Sequence, residues 1–319
     1  MYGEITGILT GIFFALSFVL ARKIENEARP IFQNAIRSLV GFLTFFIICL
    51  FFGVFSEIFS LPILLVFILI LSIIFTVILG DTTYLYSQKI LGPTKALAIT
   101  TTTPFFTILF ALFFLNLQFS LQMLFSAILI AIGVIIISEK DIKTNNKINK
   151  ISFQNSNDKN QIELKHKIFS NTLKGSFLAL FTAISWAIGI ALSDYSISQV
   201  NQVLELGILS TMIAMMVRFV FAFIFLSTVA FIQERRNPLP KSRTTWKILI
   251  ISAILSYSIG SLFFGEAVHT AGATFMSLIS TAMPLFTIPF SYLINKEKLS
   301  KKGFLGVIIT LVGVLFILF

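Results

Sequence analysis

Long apolar runs alternate with short polar breaks along almost the whole chain. A membrane-spanning helix needs about 20 mostly apolar residues. Ten stretches qualify: about 3–21, 31–53, 62–90, 93–115, 119–138, 174–194, 203–232, 245–270, 273–294 and 302–319. The third and eighth are long and partly polar at their later ends, so each is expected to tilt or bend. The segment 139–173 contains the Asn/Lys/Ser-rich run 145–160. Too little of it is apolar to offset the entropy of ordering, so it is expected to be a flexible linker.

The chain repeats itself. Residues 79–137 lie on 259–317 without a gap, with 15 identities in 59 positions. Gly80, Gly92, Thr94, Pro104 and Phe106-Thr107-Ile108 fall on Gly260, Gly272, Thr274, Pro284 and Phe286-Thr287-Ile288. A period this long means two repeated domains rather than a solenoid. The first stretch carries Gly3, Gly7, Gly11 and Ala15, and the sixth carries Gly175, Ala179, Ala183, Ala187 and Ala191. Such four-residue ladders let helices approach closely in lipid. The expected fold is all-α and integral to the membrane, with ten transmembrane helices: one five-helix repeat over 1–138, the linker 139–173, and a second repeat over 174–319.

Composition fits this reading. The chain is 56% hydrophobic and 12% charged, with 37 Phe, one Cys and two His. This excludes a disulfide framework and leaves little for a zinc site, and no cofactor or metal is expected. The first apolar run has no clear cleavage motif and is read as a retained span. The net charge of +10 does not point to nucleic acid, because 22 of the 24 Lys and Arg fall in odd-numbered connections. The positive-inside rule puts those connections, with the charged linker, in the cytoplasm and both termini outside. Five helices per repeat, an odd number, then require the second copy to be inverted, an arrangement many secondary transporters use around a midplane solute site.

Several polar residues fall inside the apolar stretches. Asp81 lies near midplane, where a charge normally faces a cavity or a partner, with Tyr84 and Gln88 on the same helical face. These three are expected to bind substrate or a proton, the alternative being a structural pair between Asp81 and Arg37 or Arg218. Thr100, Thr103 and Thr107 share a face around Pro104, and Ser277, Ser280, Thr287 and Ser291 share one around Pro284. Their hydroxyls can satisfy carbonyls freed by proline or contact a solute; the prolines are kinks or gating hinges. Glu266 and His269, one turn apart, could share a proton, and Trp186 could stack on a solute. Arg37 and Arg218 are read first as structural counterions and second as anion binders.

These features resemble the EamA branch of the drug/metabolite transporter superfamily. The closest matches are Gly80-Asp81-Thr82-Thr83-Tyr84 through Pro104-Phe105-Phe106-Thr107, and Trp186-Ala187 where the family often has Trp-Gly. Glu297 keeps the family's acidic residue after the ninth helix, while Leu117 replaces it in the first copy and Phe14 replaces the Trp. The resemblance implies a plasma-membrane exporter of a small metabolite such as an amino acid; many members are thought to keep both termini cytoplasmic. Phosphorylated or nucleotide-linked substrates, or a scaffold or receptor role, are the alternatives. An enzyme is not expected, because no His-Glu-x-x-His, Gly-x-Ser-x-Gly or P-loop is present. The expected partners are a small-molecule substrate and membrane lipid, with proton coupling and a homodimer as further expectations.

Overall fold

In the computed structural model the described residues are 2–114, 158–234, 240, 242–296 and 301–318, with isolated positions between 125 and 136. They are helical throughout, without a strand. Helix α1 spans Tyr2–Lys23 and α2 spans Pro30–Phe51. A 3-10 turn, Phe55–Ser60, leads to α3 (Ile63–Ile73), which passes through a π-helical segment, Ile74–Asp81, into α4 (Thr82–Leu91). Then come α5 (Pro93–Thr100), α6 (Thr103–Phe114), α7 (Asp158–Leu204) and α8 (Ile208–Glu234). Helix α9 (Arg243–Ala253) enters a second π-helical segment, Ile254–Gly260, and continues as α10 (Ser261–Asn295); α11 is Lys301–Leu318.

Six helices among the described residues are long and apolar enough to cross a membrane: Tyr2–Lys23, Pro30–Phe51, Ile63–Leu91, Ser170–Leu204, Ile208–Gln233 and Arg243–Ser277. The other expected spans differ in continuity. The fourth is interrupted at Thr101 and Thr102, the ninth follows a break at Gly272, and most of the fifth lies outside the described residues. So do Leu117, Glu297 and most of the expected linker. The later part of that linker segment is helical, because α7 begins at Asp158.

The two long expected spans share one device, a π-helical segment. Their π-helical segments end at Asp81 and Gly260, and each widened turn leaves a carbonyl five residues behind a hydroxyl. Thr82 Oγ1 donates to the Val77 carbonyl at 3.3 Å, and Ser261 Oγ to the Ser256 carbonyl at 3.1 Å. At the end of each segment an aromatic ring packs on bare backbone. A Cβ on Gly80 would collide with the Trp186 indole, and one on Gly260 would lie 2.7 Å from the Phe14 ring.

Both spans then turn at a glycine with positive φ, Gly92 (87°) and Gly272 (82°). The helix after each break starts differently. Pro93 has no N–H to satisfy, whereas the Ala273 N–H donates to Asp194 Oδ2 at 2.7 Å. The ladder of α1 packs along α10: Cβ atoms on Gly3, Gly7 and Gly11 would meet Thr270, Phe275 and Ile279. Close backbone approach substitutes here for the hydrophobic effect, which does not hold helices together in lipid.

Three of the connections that carry Lys and Arg meet at one end. Arg22 Nη1 donates to the Gln88 carbonyl at 3.0 Å, Lys89 Nζ to the Glu25 carbonyl at 3.1 Å, and Thr245 Oγ1 to Glu27. The opposite end holds Tyr2, Asp194, Glu266, His269 and Gly272.

Candidate functional site

Around the π-helical segments, α1, the α3–α4 span, α7, α8, the segment Ile254–Gly260 and α10 surround a chamber of about 660 Å³, counting the open space at its mouth. Its walls are mostly apolar, among them Phe14, Ile190, Phe219, Phe264 and Met283. Asp81 and Arg218 supply its charged wall groups, and Ser280 lines it from α10.

Asp81 is buried and held from both sides. Trp186 Nε1 donates to its Oδ1 at 2.9 Å, and Tyr257 Oη donates to its Oδ2 at 2.6 Å. The π-helical segment brings the carboxylate to this place, and Gly80 admits the indole beside it. Trp186 stacks with Phe18 and Tyr84, at centroid distances of 6.1 and 5.6 Å. Tyr257 packs on Phe219 at 5.0 Å.

Two buried arginines flank this group, and each crosses to a π-helical segment. Arg37 Nη2 donates to Ser256 Oγ at 2.9 Å, and Arg218 Nη2 to Thr76 Oγ1 at 3.1 Å. Arg37 also reaches Asn34 Oδ1 at 2.9 Å and Ser17 Oγ at 3.1 Å, and its guanidinium lies 4.4 Å from the Tyr257 ring centroid. Neither arginine ion-pairs directly with Asp81 among the described residues. Arg37 connects to it through Tyr257. The arrangement offers a mostly apolar chamber with one held carboxylate and one cation. It can bind and orient a small solute.

The EamA-like transporter family model matches residues 1–139 and 173–319. The chain belongs to that family. It is thus a multi-pass membrane protein of a transporter family, of the drug/metabolite type. Thirteen chains of solved structures match this EamA-family fold. One, titled only as the crystal structure of a protein, superposes with a TM-score of 0.64 at 13% identity, covering 98% of this chain and 95% of its own. At that identity the likeness shows the fold alone. No curated protein matches.

In this EamA-family chain, the chamber gathers Asp81, Trp186, Ser280 and Arg218 from the residues singled out in the sequence. Tyr84 and Gln88 do not join them. Tyr84 is sealed under Phe18, 4.4 Å between centroids, and Gln88 Nε2 donates to the Phe18 carbonyl at 3.1 Å. Both stay on the helical face of Asp81 but lie further along α4, on the other side of the Phe18 and Trp186 rings from the chamber.

Thr100 and Thr103 bond carbonyls of their own chain segment rather than facing the chamber. Thr103 Oγ1 takes the Thr100 carbonyl at 2.7 Å, the group that Pro104 leaves without a donor. Pro104 starts a new helix and is not in mid-helix, whereas Pro284 lies inside α10, whose dihedrals stay helical around it. Glu266 and His269 part company: Tyr2 Oη donates to Glu266 Oε2 at 3.3 Å, while His269 Nδ1 lies 3.4 Å from Ser198 Oγ.

Sequence reasoning passed over Tyr257, Asn34, Ser256 and Thr76. One signal was available: Thr76 and Ser256 match at the repeat's offset of 180, just before the stretch in which the duplication is plainest.

Proposed function

We propose that this EamA-family chain is a secondary transporter that carries a small metabolite through the chamber by alternating access. The observation that carries the reading is the chamber itself, bounded by both sequence copies and holding Asp81 between Trp186 and Tyr257. In the proposed architecture two inverted five-helix repeats rock about it, with the π-helical segments at Gly80 and Gly260 as the parts that can change. The direction is proposed as export from the cytoplasm across the plasma membrane, and amino acids or related compounds are the first solutes to test. A phosphorylated substrate fits less well, because Arg218 is the one basic residue among the described lining residues. The test compares metabolites in the medium of cells making the native chain or Asp81→Asn at matched membrane abundance. Accumulation of one metabolite class with the native chain alone is expected. Matching profiles, together with no counterflow of any metabolite in proteoliposomes, would overturn the reading.

A further inference from the structure

The two buried arginines occupy matched places, yet their surroundings differ in one direction only. At an offset of 181, Arg37 falls on Arg218 and Asn34 on Met215. At the ladder's offset of 172, Ser17 falls on Gly189 and Phe18 on Ile190; at 180, Tyr257 falls back on Val77. Each neighbour that solvates Arg37 is therefore replaced around Arg218 by a less polar or non-aromatic residue. The hydroxyl is kept, Ser256 for one and Thr76 for the other, and Arg218 has one ring of its own, Phe264, whose centroid is 5.6 Å from its guanidinium.

The consequence is visible at the guanidinium. All three nitrogens of Arg37 have oxygen partners: Ser256 for Nε and Nη2, Asn34 for Nη1, and Ser17 for Nη2 as well. Arg218 Nη1 has only the Met215 sulfur at 3.4 Å, and its Nε has no partner among the described residues. The residue is 2% exposed and lines the chamber. Val77 and Ile190, two of the replacements, line it too. The sites of two missing partners thus border the chamber.

Charge points the same way. Arg37, Arg218 and Asp81 together carry one net positive charge in this buried region. Glu266, the next buried carboxylate, is engaged with Tyr2 outside the chamber lining. A buried cation needs a paired anion, and a guanidinium edge with free donors fits a carboxylate in two-pronged fashion.

We infer that the chamber binds a small monocarboxylate with an apolar body, its carboxylate docked on Arg218 Nε and Nη and its body against Phe264, Ile190 and Phe219. A zwitterion brings no net negative charge, and Asp81 already accepts from two donors, so an added ammonium gains little. This rests on the transport reading and replaces amino acids with monocarboxylates as the class of solute that the same chamber takes.

The experiment measures binding to the full-length protein in detergent by calorimetry, with three probes of one carbon skeleton. They are 3-phenylpropionate, L-phenylalanine and 3-phenylpropylamine. The carboxylate is expected to bind tightest, the zwitterion roughly tenfold or more weaker, and the amine weakest. Arg218→Met should weaken the carboxylate roughly tenfold to a hundredfold. Met215→Asn keeps the cation but gives it the partner that Arg37 has, so it should fold at least as well and still weaken carboxylate binding several-fold. No binding of the carboxylate, tighter binding of the zwitterion or amine, or unchanged binding in both variants would overturn the inference. Carboxylate binding without counterflow in proteoliposomes would uphold it and overturn the transport reading. Counterflow of another solute with no carboxylate preference would do the reverse.

Discussion

Asp81 is the residue on which the site turns, and its neighbours explain what a change there should do. Both oxygens accept from donors, Trp186 Nε1 and Tyr257 Oη. In Asp81→Asn the amide oxygen can keep the indole while the amide nitrogen donates to Tyr257, whose hydroxyl has Asn34 Oδ1 3.4 Å away. The variant should therefore insert normally. Its transport should fall roughly tenfold or more, since a hydrogen bond to a charged group is worth about 1.5–3 kcal/mol; transport rate per inserted protein checks this. Gly80→Ala fails for another reason. Its methyl group would collide with the Trp186 ring and press on the Phe75 carbonyl oxygen at 2.8 Å. Overpacking of this kind costs about 1–3 kcal/mol, so a lowered melting temperature with intact expression is expected. Gly260→Ala, against Phe14, should behave alike.

At the scale of the helix, the breaks matter more than the spans. The Gly92 and Gly272 dihedrals, near 87°, 157° and 82°, 168°, belong to a region essentially open to glycine alone. The breaks place helix ends inside the fold, and those ends need partners. Asp194 serves the one after Gly272. Asp194→Ala should cost about 1 kcal/mol, the usual worth of a cap. Asp194→Asn keeps an acceptor and should lose only part of that; thermal unfolding of the two variants against the native chain separates them. The ladder of α1 was legible as a packing face, because small residues every four positions can serve little else in lipid. The π-helical segments were not, since inserting one residue in a turn leaves no mark in an apolar sequence. Nor was the cover of Phe18, from another helix, which closes Tyr84 and Gln88 off from the chamber that Asp81 lines.

For the whole molecule, the gathering of Arg22, Lys89 and the Thr245–Glu27 contact at one end agrees with the one-sided placement of Lys and Arg in the sequence. If that end is cytoplasmic, Glu57 in the connection between α2 and α3 is outside and residue 155 is inside. Cys49 is buried, so the native background for thiol labelling is low. An impermeant thiol reagent should label Glu57→Cys in intact cells, and Asn155→Cys only after permeabilisation. The reverse pattern would put both termini in the cytoplasm.

The sequence by itself determined membrane class, helical content and the family, because these rest on local quantities: apolar run length, Gly and Pro spacing, and the matched copies. It also put Asp81, Trp186 and Arg218 among the candidates, since polar groups at membrane depth are costly and stand out singly. Tertiary structure alone decided which of them share a chamber. It placed Tyr257 on Asp81 and Thr76 on Arg218, partners more than a hundred residues away in the chain. It also separated the satisfied Arg37 from Arg218, whose buried guanidinium keeps a nitrogen without a partner among the described residues, although the two lie at matched sequence positions. A residue type fixes what a side chain can donate or accept; only the packing of distant helices fixes what it meets.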